Sequence, residues 1–351
     1  MSFQQYLKRF LFLSILWISI IPLSNWIIDP YGIFETHFLK YTFQQNERFI
    51  KIEHLKKEHH NFNGYIFGSS RIGGLPPELL NKHIDGASFY NMYGSGANQW
   101  DTLNHLEYML RNKYTIKHVY LQVDLEPTFG PSDKNLLKIH PEVVNENLIQ
   151  FYFHNLVLFP YSDFKKTIKN NLNANNTALY NWNDGSYSRP ELEKKIKENH
   201  TKYINKVSDF HKTNLRKKVF SKQDREQIVQ NITAVLKVIK LSKENNFKLY
   251  LFTSPLNQHK LDTINIDMYL YYLSELAKIT NFWDFGGYNK ITTDDKLYYE
   301  ASHYRPIVNK MIVKSIFKGS KANENNDFGV YVHSGNFSRH LSNIQRQMHS
   351  R

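Results

Sequence analysis

The 351-residue chain contains no cysteine. This absence excludes disulfide bonds, zinc sites built from thiolates and a cysteine nucleophile. A domain of more than about 100 residues is stable without disulfides, so the absence is compatible with a location outside the cytoplasm. Hydrophobic residues make up 41% of the chain and aromatic residues 15%, which is sufficient for a large core.

Nucleotide-binding and metal-binding motifs are also missing. Gly94 and Gly96 lack the third glycine of a dinucleotide-binding loop, and there is no Walker A sequence. His37, His59 and His60 do not have metal-ligand spacing around them. No cofactor and no metal are therefore indicated.

Acidic residues are scarce relative to basic ones. The chain has 32 Asp and Glu against 45 Lys and Arg, for a formal net charge of +13, and much of the excess falls between residues 165 and 222. Such a surface attracts anions. Because zinc-finger spacing and ribonucleoprotein-type aromatic motifs are absent, we expect no nucleic acid partner and favour anionic lipid headgroups or acidic glycans. A compositional bias toward Lys, Asn and Ile is the alternative explanation.

The N-terminus carries the one long apolar run, residues 10–28, directly after Lys8 and Arg9. A bilayer-crossing helix needs roughly 20 residues, and basic residues at its start favour a cytoplasmic N-terminus. No small-residue cleavage pattern follows the run, so residues 1–29 predict a cytoplasmic stub with an uncleaved signal-anchor helix, and 30–62 a juxtamembrane segment. A cleaved signal peptide and a buried core helix are the alternatives.

The rest of the chain alternates between strand-like and helix-like patterns. Buried strands are predicted at residues 65–67, 87–93, 117–125, 247–253 and 281–285, with amphipathic helices at 99–112, 225–243 and 304–317. This alternation predicts a three-layer α/β/α domain, flavodoxin-like, with a roughly five-stranded parallel sheet. We place the domain at 63–317, with an insertion at about 130–222 and a C-terminal tail at 318–351.

Candidate functional residues follow each predicted strand. They are Ser70, Gly94 and Gly96, Asp124 and Glu126, Ser254 and Asn257, and Glu300 and His303. In open parallel sheets the ligand crevice lies outside the carboxyl ends of the strands, so we expect these residues to converge. A serine nucleophile needs a general base and a group that orients the base, and Ser70, His303 and Glu300 are of these three types.

The chain resembles the SGNH (GDSL-like) hydrolase superfamily in three blocks of sequence: Gly68-Ser69-Ser70, the run from Asn91 to Ala97, and the run from Glu300 to Pro306. Within it, the chain is most similar to the membrane-anchored bacterial branch of the DltD and AlgX/AlgJ types of cell-surface polymer acylation proteins. The match covers most of residues 63–317.

The resemblance implies roles for particular residues. Ser70 would be the nucleophile, His303 the base and Glu300 the orienting acid, with the N–H groups of Ser70 and Gly96 in the oxyanion hole. Two departures matter: the family's Gly-x-Asn-Asp block has no counterpart, leaving Asn98 as a candidate on chain proximity alone, and the acid is Glu instead of Asp. Asp294 or Asp295 are alternatives for the acid.

The sequence and the resemblance together predict an extracytoplasmic, serine-dependent acyl esterase or O-acyltransferase. We expect an acyl group such as acetyl on a cell-surface polysaccharide or glycolipid, and a single-pass location in the bacterial inner membrane through the N-terminal helix. A transferase would also need a membrane-bound partner that delivers the acyl group. The alternative is a non-catalytic glycan-binding or assembly protein that retains the fold.

Overall fold

The computed structural model describes residues 2–36, 38–39, 46–125, 139–158, 161–172, 179–211, 219–318 and 328–350. The helices described there are α1 (Phe3–Ile28), α2 (Glu47–Glu58), α3 (Glu78–Asn81), α4 (Gln99–Arg111), α5 (Pro141–Val144), α6 (Leu148–Val157), α7 (Tyr161–Leu172), α8 (Pro190–Glu198), α9 (His200–Lys206), α10 (Lys222–Glu244), α11 (Gln258–Leu261), α12 (Ile266–Ile279), α13 (Pro306–Lys318) and α14 (Phe337–His349). The strands are β1 (Gly64–Phe67), β2 (Phe89–Asn91), β3 (His118–Val123), β4 (Leu179–Tyr180), β5 (Tyr187–Ser188), β6 (Lys248–Thr253), β7 (Phe282–Asp284), β8 (Tyr298–Glu300), β9 (His303–Tyr304) and β10 (Val330–Val332).

The chain divides into two compact units. The first unit consists of Met1–Lys56 and Asp133–Thr177, and the second of Lys57–Ser132 and Ala178–Arg351. The insertion predicted at 130–222 is therefore shared between the units, and its residues from 178 onward belong with the sheet. The predicted tail after residue 318 also belongs to the second unit.

The second unit is an α/β structure around a mixed, mostly parallel sheet of six strands. Their order is β10-β7-β6-β3-β1-β2. The five predicted strands are confirmed as β1, β2, β3, β6 and β7, which are parallel to one another. The sheet was predicted as roughly five-stranded and parallel; it is mixed and has six strands, because β10 adds an antiparallel edge strand beside β7.

Both faces of this sheet are buried. Ile66, Tyr120 and Phe252 lie on one face and pack in one apolar cluster with Val308 and Ile312 of α13. Side chains alternate along a strand, so neighbouring residues such as Val119, which is fully buried, point to the other face. Helices α4, α10, α12 and α14 contact one another in that order. Every residue of the short strands β1, β2 and β7 is buried.

The predicted helical stripes are confirmed in the second unit. In α10, Ile228, Ile232 and Val235 recur at helical spacing and are buried. Pro306 occupies the first position of α13, where the missing N–H of proline has no intrahelical partner to lose.

In the first unit, α1 is long and apolar enough to cross a membrane. It has 26 residues, and its most apolar 18-residue window has a mean hydropathy of 2.0 with 6% of the window buried. A helix of this length spans roughly 39 Å, more than the roughly 30 Å of a bilayer core. Pro22 lies inside the helix, and a capping box of Ser2 and Gln5 begins it.

Candidate active site

Ser70 lies in a tight turn directly after β1. The turn begins at Gly68, whose φ of 153° favours glycine. A Cβ at this position would lie 2.7 Å from Cβ of Gln122, so no other residue fits beside β3 without a shift. The chain then turns through backbone hydrogen bonds from Ile72 N to Ser69 O and from Gly73 N to Ser70 O. The sequence Gly-Ser-Ser therefore presents Ser70 at the carboxyl end of β1.

His303 and Glu300 are brought to Ser70 by the β8–β9 hairpin. The distance from Ser70 Oγ to His303 Nε2 is 2.7 Å, although the residues are 233 positions apart. His303 Nδ1 is hydrogen-bonded to Glu300 Oε1. The other carboxylate oxygen of Glu300 accepts a hydrogen bond of 2.9 Å from the N–H of Ser302, which fixes the carboxylate. The three residues selected from the sequence thus form a continuous hydroxyl–imidazole–carboxylate chain.

The environment of Glu300 favours its ionised form. Burial raises the pKa of the Glu300 carboxyl, but the hydrogen bond and charge of His303, the Ser302 N–H and the Arg189 charge together lower it below its ordinary value. An ionised Glu300 accepts a hydrogen bond from His303 when the imidazole proton is on Nδ1. Nε2 then carries no proton and accepts the hydrogen bond of the Ser70 hydroxyl. The side chains of His303 and Glu300 are 24% and 26% exposed, so the site is accessible from solvent.

A buried ion pair ties the serine turn to the histidine loop. Arg71 Nη1 lies 3.1 Å from Asp124 Oδ2, and the side chains are only 5% and 8% exposed. The same carboxylate oxygen accepts a 2.7 Å hydrogen bond from Ser69 Oγ. Arg71 Nε donates to the carbonyl of Ser302 at 3.0 Å. Residues on either side of Ser70 are therefore fastened to β3 and to the loop before His303.

Gln122 in β3 connects the ends of further strands. Its fully buried side-chain amide donates to Ser254 Oγ at 3.1 Å and to the Tyr304 hydroxyl at 2.9 Å. Ser254 follows β6, and Tyr304 is the neighbour of His303 in β9. The predicted convergence is thus observed for Ser70, Asp124, Ser254, Glu300 and His303, while Glu126 lies outside the described residues.

Tyr187 contacts the serine turn, and this contact was not predicted from the sequence. It lies in β5, within the predicted insertion, and its hydroxyl donates to the carbonyl of Ser70 at 2.9 Å. Its N–H donates to the carbonyl of Gly73, where a Cβ would lie 2.4 Å from the Tyr187 ring. Arg189 stacks on the rings of Tyr187 and Tyr299, 5.3 Å from each centroid. The β4–β5 hairpin therefore forms a wall beside the nucleophile.

Gly96 and Asn98 lie in the loop after β2. The N–H of Gly94 donates to the carbonyl of Gly68 at 3.1 Å, which places this loop beside the serine turn. Gly96 has a φ of 64° in a turn closed by Ala97 N and Gly94 O, and nothing lies within 4 Å of a Cβ built on it. Among the described residues, no group accepts a hydrogen bond from the N–H of Ser70 or Gly96.

Asn98 has a structural role as the N-cap of α4. Its Oδ1 accepts from the N–H of Asp101, and its own N–H donates to Asp101 Oδ2, both at 3.0 Å. This is a capping box, a common way to begin a helix. The assignments of Asn98 and Gly96 to an oxyanion hole stay predictions.

The alternative acids have other partners. Asp294 accepts a hydrogen bond from the N–H of Lys296. Asp295 accepts one of 2.9 Å from Asn257 Nδ2, and His259 Nε2 lies 3.2 Å from its other oxygen. The acid next to His303 is therefore Glu300. Within the described ranges, no group of three or more His, Asp and Glu is placed to hold a metal ion.

A cavity of about 500 Å³ extends from Gly74, directly after the serine turn, to Phe62 and Phe89 near the starts of β1 and β2, and none of Ser70, Glu300 and His303 lines it. Tyr187 forms part of its wall, together with Gly74, Pro306 and the polar side chains of the β4–β5 hairpin, among them Asn183 and Ser186. Among the described residues that line it, none is a lysine or an arginine. It offers amide, hydroxyl and carboxylate groups next to apolar rings.

No protein-family model matches the chain, and no curated protein is significantly similar to it.

Proposed function

We propose that this protein is a serine-dependent acyl esterase or O-acyltransferase that resembles the SGNH hydrolases. The observation that carries the proposal is the chain of hydrogen bonds from Ser70 through His303 to Glu300. Counting only the five parallel strands, the sheet order is 2-1-3-4-5, which is the flavodoxin-like order. We interpret the second unit as a three-layer α/β/α domain of this type, with the site at the carboxyl ends of its strands.

In the first half of the reaction, Ser70 Oγ attacks the carbonyl carbon of an acyl ester while His303 Nε2 takes the hydroxyl proton. Glu300 stabilises the imidazolium that forms. The N–H groups of Ser70 and Gly96 are the donors available to the developing oxyanion, and one such donor contributes about 3 kcal/mol, or 10²- to 10³-fold in rate. The carbon–oxygen bond to the leaving alcohol then breaks, and His303 returns the proton to that alcohol.

In the second half, a hydroxyl compound attacks the acyl-serine. His303 accepts its proton, the ester bond to Ser70 breaks and Ser70 regains a proton. If the compound is water, the products are a carboxylic acid and free enzyme. If it is a carbohydrate hydroxyl, the acyl group is transferred. A transferase outside the cytoplasm has no acyl-CoA, so it would require a membrane-bound donor partner.

The cavity lined by the β4–β5 hairpin has groups that suit a carbohydrate, and Tyr187 connects this cavity to the carbonyl of Ser70. Polyols are bound by amide and carboxylate groups that hydrogen-bond to hydroxyls, with aromatic rings against the apolar faces of the sugar. Asn183, Ser186 and Tyr187 offer such groups. Acetylated cell-surface polysaccharide or glycolipid is the proposed substrate class, and the basic flank of α1 favours a domain outside the cytoplasmic membrane.

The proposal is tested by measuring acetate release from 4-nitrophenyl acetate and from acetylated sugars. Ser70→Ala and His303→Ala should each abolish release, with folding unchanged by circular dichroism. Ser69→Ala is the matched control, because Ser69 lies in the same turn but bonds to Asp124 instead of His303. Equal turnover by the Ser70→Ala and wild-type proteins would exclude the mechanism.

A non-catalytic glycan-binding or assembly protein is the second candidate. The observation in its favour is that the chain has no counterpart of the Gly-x-Asn-Asp block that supplies a third oxyanion donor in the SGNH hydrolases. Such a protein would bind glycan with equal affinity before and after Ser70→Ala and would release no acetate in either form. Isothermal titration with acetylated oligosaccharides separates the two candidates.

A further inference from the structure

The first unit carries an exposed apolar stripe on α6. Ile149, Phe153 and Val157 recur every four residues, so they lie on one side of the helix. Their exposed fractions are 80%, 61% and 41%. A helix that packs in a soluble domain normally turns such a stripe toward the core.

The opposite side of α6 is firmly packed. Phe151 is buried and stacks on Phe49 of α2 with ring centroids 5.5 Å apart. Asn155 is also buried, one turn further along. The rotation of α6 is therefore fixed, and its stripe is presented outward by the fold.

Helix α7 presents a surface of the same kind. Tyr161, Ile168 and Leu172 are spaced by seven and four residues, which puts them on one side, and all three are exposed. Lys165 and Lys169 are exposed among them. Aromatic and aliphatic side chains interleaved with lysines are typical of helices that lie in the interface of a membrane.

The exposed surface of α6 and α7 lies next to the C-terminal end of α1. Asn25 is buried, and its Nδ2 donates to the carbonyls of Leu156 and Leu158 at 2.7 and 2.5 Å. The Tyr31 hydroxyl donates to Asp163 Oδ2 at 2.6 Å. The C-terminal end of α1 is thereby fastened to the end of α6 and the start of α7.

Aromatic residues mark the same end of α1. Trp26 and Phe38 are exposed and meet edge to face, with ring centroids 5.6 Å apart. Tryptophan is enriched where a membrane-crossing helix leaves the hydrocarbon. If α1 crosses the bilayer, the exposed faces of α6 and α7 are next to its outer surface.

We propose that α6 and α7 form a lipid-binding platform that lies on the bilayer beside α1. The apolar stripe inserts about 5–10 Å, to the boundary of headgroups and acyl chains. Lys165 and Lys169 contact anionic headgroups, and each such lysine strengthens binding about fivefold. The platform is a second, interfacial attachment of the chain, and it does not depend on the chemistry at Ser70.

The absence of cysteine allows the platform to be tested in the full-length protein. Phe153→Cys and, as the matched control, His154→Cys are labelled with bimane and reconstituted in nanodiscs containing phosphatidylglycerol. Both positions are exposed, but the side chain of His154 points about 100° away from that of Phe153 around the helix axis. We expect nitroxide-labelled lipid to quench the label at 153 severalfold more than the label at 154, and iodide to show the reverse.

Two results would overturn the proposal. Equal quenching by iodide at both positions would mean that the stripe faces water. Shielding of position 153 from both iodide and nitroxide lipid would mean that a second copy of the chain covers it.

A charge variant tests the headgroup contacts separately. Replacing Lys165 and Lys169 with Gln should reduce lipid quenching at position 153 in phosphatidylglycerol discs, but leave it unchanged in phosphatidylcholine discs. Equal quenching with and without the lysines in phosphatidylglycerol would contradict their role.

Discussion

Replacing Glu300 with Gln should reduce kcat by about 10²-fold. The hydrogen bond between His303 and ionised Glu300 is charge-assisted, and bonds of this kind contribute about 1.5–3 kcal/mol, or about 10- to 150-fold. Glutamine also stabilises the wrong tautomer of His303 whenever its amide faces Nδ1. Because Glu300 is 26% exposed, water replaces part of the lost interaction. The loss should therefore be smaller than the roughly 10⁴-fold found for a fully buried triad acid.

The assay is pre-steady-state release of 4-nitrophenol from 4-nitrophenyl acetate, which separates acylation of Ser70 from deacylation. Glu300→Asp is the control, since it keeps the charge and shortens the side chain by one methylene. It should retain more activity than Glu300→Gln. If Glu300→Gln matches the wild type in both phases, Glu300 does not orient His303, and the role of the β8–β9 hairpin would have to be revised.

Three further predictions concern the surroundings of the site and the sheet. Arg71→Met should lower the free energy of unfolding by about 3–5 kcal/mol in urea denaturation, because it leaves the buried carboxylate of Asp124 without its ion-pair partner. Adding Asp124→Leu in the same chain should restore much of the lost free energy of unfolding. Asn98→Ser keeps a capping oxygen for α4 but removes an amide, so stability should hold while kcat falls about 10²-fold; an unchanged kcat would remove Asn98 from the oxyanion hole. Burial raises the pKa of Asp284, but the hydrogen bond and charge of His340, together with hydrogen bonds from Thr253 and Gly286, outweigh burial and bring the pKa below its ordinary value. Its stabilising contribution is therefore full above about pH 4 and lost as the pH falls through the lower folded pKa, so acid titration of the unfolding free energy should show a steeper decline in the wild type than in Asp284→Asn.

The positions of the three candidate catalytic residues could be predicted because each follows a strand. Ser70 follows β1, and Glu300 and His303 lie in the β8–β9 hairpin, which comes after β7 in the chain. Parallel strands end at the same edge of a sheet, so strand order alone brings such residues together. The α/β class followed from the same alternation of short apolar segments and amphipathic helices.

Other features depend on contacts that leave no mark in the local sequence. Tyr187 reaches Ser70 across 117 residues from a two-residue strand, and nothing in its neighbourhood distinguishes it from the other tyrosines. Strand β10 has three residues, which is too few for an alternation of buried and exposed side chains to be visible in the sequence. The cap at Asn98 did have a signal, since Asp101 follows it by three residues before an apolar run.

The most direct measurement is intact-mass analysis of the full-length protein after exposure to a fluorophosphonate, compared with the Ser70→Ala variant. We predict a single covalent adduct on the wild type, formed at Ser70 because His303 removes its proton, and no adduct on the variant. A folded wild-type protein that stays unlabelled, or a variant that is labelled equally, would contradict an activated serine at this site.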